Sequence, residues 1–95
     1  MTTEEIEQTM RKAIATYGVP SQLMMAFEEM GELMSAIGKF ERGRIGLDDV
    51  CTEIADVKIM MEQLSLIYNP VKVDEEYQRK IERLKCRLQD KESKK

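Results

Sequence analysis

Histidine and tryptophan are absent, aromatic residues make up 5% of the 95-residue chain, and there are only two cysteines, two prolines and five glycines. Each shortage excludes something. Without His, neither an H-E-x-x-H zinc site nor a Glu-x-x-His di-iron bundle can be built. Cys51 and Cys86 lack C-x-x-C spacing, which removes a disulfide framework and a metal knuckle, and both are expected as small, mostly buried side chains. No apolar run approaches the roughly 18 residues of a spanning helix, and no charged n-region followed by an apolar h-region opens the chain. The expected setting is cytoplasmic, with no membrane partner.

What is abundant favours helices. Charged residues reach 35%, and the eight methionines are good helix formers able to fill irregular cores. The expected fold is all-α and four-helix bundle-like, a single domain over residues 1–90 followed by a disordered polar tail at 91–95. The net charge of −3 is unevenly spread: residues 1–62 carry 6 basic and 12 acidic side chains, residues 63–95 carry 9 and 6. That polarity excludes a nucleic-acid clamp, which needs basic charge across a whole face.

Apolar periodicity places the helices. Ile6, Met10, Ala13, Ile14 and Tyr17 mark a first helix ended by Gly18. Pro20 and Ser21 open a second running to about Phe40, with a stripe of Leu23, Phe27, Met30, Met34 and Ile37. After a glycine-containing loop, Asp48 or Asp49 can cap a third helix to about Tyr68, its stripe at Val50, Ile54, Val57, Met61 and Leu64. Asn69-Pro70 stops it, and Tyr77, Ile81, Leu84 and Leu88 outline a last helix from about Asp74 to Asp90. Helix three is apolar on nearly every side, more than a chain of this length can bury, so a homo-oligomer is expected to complete the core.

Two acid pairs stand out. Glu29 with Glu32 and Glu53 with Asp56 each have i, i+3 spacing, which puts both acids of a pair on one helical face. Projected at about 100° per residue, the two pairs occupy equivalent flanks of their stripes, interleaved with Met25, Ala36, Met60 and Ile67. Four clustered carboxylates repel unless a cation sits among them, and oxygen-only ligation selects a hard ion, Mg2+ with Mn2+ as the alternative. Lys80, Arg83 and Arg87 form a basic strip on the last helix, at a spacing suited to phosphate oxygens.

These residues resemble a known family, the MazG-like nucleoside triphosphate pyrophosphohydrolases of the all-α superfamily. The family's E-E-x-x-E and E-x-x-D motifs stand here as Glu28-Glu29-Met30-Gly31-Glu32 and Glu53-Ile54-Ala55-Asp56, with twenty residues between Glu32 and Glu53. The likeness spans roughly residues 22–87. It implies Mg2+ ligation by Glu29, Glu32, Glu53 and Asp56 and a helical bundle working as a dimer or tetramer. Lys80-Ile81-Glu82-Arg83-Leu84 matches the K-F-E-R-R motif of some members, with Leu84 removing one basic group.

The expected activity is Mg2+-dependent hydrolysis of a nucleoside triphosphate to monophosphate and pyrophosphate. Glu28 or Glu53 would act as general base, Lys80 and Arg83 would grip the outer phosphates, and Gln22 would contact base or sugar. Two other readings compete: a non-catalytic helical oligomerisation or interaction module, and a nucleotide-binding regulator without turnover.

Overall fold

The computed structural model describes residues 1–93 and contains four helices with no strand among them: α1 (Thr3–Tyr17), α2 (Val19–Glu41), α3 (Leu47–Tyr68) and α4 (Pro70–Ser93). The all-α expectation holds. Local chemistry explains each boundary. Thr2 caps α1 by accepting the Glu5 N–H at 3.1 Å, and Gly18, at φ 89°, turns the chain into α2 with Pro20 in its first turn. Neither Asp48 nor Asp49 is the N-cap of α3. Gly46 holds that place, and Asp49, three residues on, accepts its N–H at 3.1 Å.

The last helix is longer at both ends than its apolar pattern predicts. Asn69 ends α3 and also caps α4, its Oδ1 accepting the Lys72 N–H at 3.0 Å. Pro70 then fits the first helical position, where a missing N–H costs nothing. At the other end α4 continues to Ser93, whose hydroxyl donates to the Gln89 carbonyl; of the expected tail, residues 94 and 95 lie outside the described residues.

The five-residue connection from Arg42 to Gly46 makes α2 and α3 an antiparallel hairpin, and their seam is the principal packing in the molecule, with α1 laid across both. The seam uses the predicted stripes only in part: Val50 is buried and Leu23, Met30, Val57 and Leu64 are half-buried. On α2 the inward row is Gln22, Ala26, Glu29, Leu33 and Ala36, each one residue before a member of the predicted stripe, a rotation of about 100°. Ala26 is 1% exposed while Phe27 is 63% and Met34 70% exposed. On α3, Val50, Met60 and Gln63 are buried while Ile54 and Met61 face out. Small side chains let the two backbones approach, and Phe27, Met34, Ile37, Ile54 and Met61 are left uncovered.

That rotation corrects other expectations. Cys51 and Cys86 are free and exposed, the first turned outward beside Val50, the second on a helix with no buried residue. Of the methionines, Met10 and Met60 fill the core, but Met24, Met25, Met34 and Met61 lie at the surface. Helix α4 packs only on α3, and Tyr77, Ile81, Leu84 and Leu88 are all exposed along it. The radius of gyration of 16.9 Å exceeds the about 12 Å of a compact domain of this length, as a projecting helix requires. No described helix is long and apolar enough to cross a membrane.

Ala26→Leu should force the hairpin apart and cost about 1–3 kcal/mol, read as a lowered urea midpoint. An unchanged midpoint would show that the close seam does not run through this residue.

Candidate metal centre in the helical hairpin

Three of the four paired acids lie within the seam rather than on a flank of it. Carboxylate oxygens of Glu29 from α2 and of Glu53 and Asp56 from α3 all lie within 4.8 Å of one another. Their i, i+3 and antiparallel placement brings them to the same level of the hairpin. Glu29 Oε2 and Glu53 Oε2 are buried and have no hydrogen-bond partner. An unpartnered carboxylate oxygen out of contact with water is costly, and the cost falls if a cation takes it as a ligand.

Electrostatics point the same way. The Glu29 carboxyl is raised above its ordinary value, first by desolvation and then by the charges of Glu32, Asp56 and Glu53. Glu53 is raised by desolvation and then by Glu32, Asp56 and Asp49. Glu32 therefore adjoins both, although its own side chain is exposed and stands outside the tight trio. An all-oxygen donor set spanning two helices fits a hard divalent ion of the Mg2+ class.

Two cavities flank the acids. One, of about 350 Å3, is bordered by Glu29 and Asp56 and lined further by Tyr17, Gln22, Met25, Ile59 and Gln63. The other, of about 270 Å3, takes in Glu32 and Glu53 together with Ser35, Lys39 and Asp49. Gln22 thus lies beside the acids as the sequence suggests. Gln63, absent from the sequence expectations, lies there with it: Gln22 Nε2 donates to Gln63 Oε1 at 2.6 Å, and both residues are buried. Its signal was available in the seven-residue step from Asp56, which keeps it on the same face two turns on. Lys39 is seven residues beyond Glu32 by the same logic.

The remaining predicted residues lie elsewhere. Glu28 is exposed and outside the trio. Lys80 and Arg83 are exposed on α4, form no ion pair among the described residues, and border neither cavity beside the acids. Glu76 pairs with Lys72 and Arg79 rather than with Lys80, and these cations hold its carboxyl below the usual range. No family model, curated protein or solved structure matches the chain.

The raised carboxyls define a pH response. Groups that hold a proton more tightly folded than unfolded make the folded state bind more protons between the ordinary carboxyl pKa and the raised one, so stability falls as pH rises through that window. The metal-free protein should melt at a higher temperature near pH 5 than at pH 7, and Glu29→Gln with Glu53→Gln should flatten the dependence. A parent protein whose melting temperature climbs from pH 5 to pH 7 would contradict it.

Proposed function

We propose that the chain is a Mg2+-dependent nucleoside triphosphate pyrophosphohydrolase of the MazG-like kind, releasing nucleoside monophosphate and pyrophosphate. The observation that carries it is the convergence of Glu29, Glu53 and Asp56 within 4.8 Å, with two buried oxygens lacking partners. Glu29, Glu32, Glu53 and Asp56 would hold the ion. When bound, it would neutralise phosphate charge and lower the pKa of a water, the chemistry such centres contribute.

The other roles follow from position. Of the two candidates for general base, Glu53 is better placed than Glu28, because it is half-buried at the cluster and Glu28 is exposed. In the reaction a water oxygen bonds to the α-phosphorus as the bond from that phosphorus to the α–β bridging oxygen breaks. The water's proton passes to Glu53, and the bridging oxygen leaves as part of pyrophosphate. Lys39, lining the cavity with Glu32 and Glu53, is the chain's own cation for the outer phosphates. Lys80 and Arg83 would serve from a neighbouring copy, since α4 does not meet the hairpin's acids in its own chain.

A homo-oligomer belongs to the same proposal. Phe27, Met34, Ile37, Ile54 and Met61 on the hairpin and Tyr77, Ile81, Leu84 and Leu88 on α4 are exposed, and burying such surface is the main driving force for association. A cytoplasmic setting, where nucleotides and Mg2+ occur together, suits the activity.

Mg2+ at a hundred times its Kd should stabilise the protein by about 2.7 kcal/mol in thermal melts, and Asp56→Asn should remove both that shift and Mg2+-dependent pyrophosphate release. An interaction module would show neither response, and a regulator would show stabilisation without release. Met34→Glu should lower the molecular mass seen in sedimentation velocity, whereas a parent already monomeric at the same concentration would remove the oligomer from the proposal.

A further inference from the structure

We propose that the cavity bordered by Glu29 and Asp56 is the nucleobase end of the site, and that the Gln22–Gln63 amide pair reads the hydrogen-bonding edge of the base. The assignment rests on the hydrolase reading of the acids and adds a substrate orientation and a specificity residue, Gln63.

Spacing is the first ground. Gln22 precedes Glu29 by seven residues on α2, and Gln63 follows Asp56 by seven on α3. In an antiparallel hairpin both steps run in the same direction, so the amide pair sits two turns, roughly 10 Å, along the seam from the acids. That is the reach of a sugar and ring extending from a phosphate held at the acids. The opposite cavity carries Lys39 and Ser35, which suit phosphate oxygens and not a ring.

The second ground is the state of the amides. Gln22 is 6% and Gln63 4% exposed, and the one hydrogen bond between them joins Gln22 Nε2 to Gln63 Oε1. Gln22 Oε1 remains an acceptor and Gln63 Nε2 a donor. Neither atom is among the enclosed oxygens and nitrogens that lack a partner, and both residues line the cavity. An acceptor and a donor on one buried pair complement a heterocycle that carries both functions along an edge, and the bases differ in the order in which they present them. A buried polar pair made to be matched rejects rings that leave it unmatched.

The walls complete the fit. Met25 and Ile59 supply apolar surface, and Tyr17, 67% exposed, stands at the mouth where its ring can stack on a base. A cavity of about 350 Å3 lies within the range of small-molecule sites.

The test measures binding of α,β-methylene nucleoside triphosphates carrying uracil, cytosine, adenine or guanine, with Mg2+, beside inorganic tripolyphosphate, which has the phosphates and no ring. Gln63→Leu should weaken the best-bound nucleotide about tenfold and narrow the differences among bases, with tripolyphosphate affinity unchanged. Tyr17→Ala, at an exposed position that leaves the core intact, should weaken all four nucleotides at least about fivefold with the same tripolyphosphate result. If Gln63→Leu does not fold, Tyr17→Ala decides alone. Tripolyphosphate binding with nucleotide affinities unmoved by these variants overturns the base assignment and leaves the hydrolase reading standing. A parent that binds neither ligand overturns both.

Discussion

Like charge held at close range across the α2–α3 seam is the constraint from which the rest follows. Three carboxylates from two helices bring oxygens within 4.8 Å of one another, and two of their oxygens are enclosed with no donor among the described residues. A hairpin whose only task was stability would put apolar groups there, because isosteric hydrophobic replacement of buried charges is commonly neutral or stabilising. The helices nevertheless meet along this row, with Ala26 and Ala36 as spacers. The seam sacrifices stability for a concentrated negative field, and a concentrated field of oxygen ligands is what a hard cation requires.

Everything else in the fold accommodates that choice. The α2 stripe is displaced by about one residue, and Phe27, Met34 and Ile37 from it, with Ile54 and Met61 from α3, are left facing solvent. Helix α1 closes one side of the seam and, with Tyr17, forms a wall of the cavity beside the acids. Helix α4 adds no buried side chain and packs on α3 alone. The chain is thus a charged hairpin with a lid on one side and an unpartnered rod on the other.

How much of this was legible differs by level. Helix number, and the ends set by Gly18 and Tyr68, follow from periodicity and from glycine and proline chemistry, which act locally. The acid pairs were legible for the same reason, since i, i+3 spacing on one helix is a local property. The direction each helix faces was not. Periodicity finds the most apolar stripe, and it assumes that stripe meets the chain's own core; Phe27 and Met34 break the assumption because the inward row is the small and polar one. Gln63 was missed on the same account, as a polar residue inside a seam thought to be apolar, and Lys39 because it is an exposed cation that only the cavity beside Glu32 singles out. Asn69 was read only as a stop, although the same side chain starts the next helix.

The uneven charge acquires a consequence once α4 is seen to project. Residues 19–68 carry 4 basic and 9 acidic side chains and α4 carries 7 and 6, so the excess of acid belongs to the hairpin and the rod is close to neutral. Added salt would relieve the repulsion among the hairpin's acids by shortening the Debye length, to about 3 Å at 1 M, while excluded anions such as sulfate would strengthen the drive to bury the exposed apolar side chains. Ionic strength therefore acts on the hairpin's charge and on the uncovered apolar faces in the same sense.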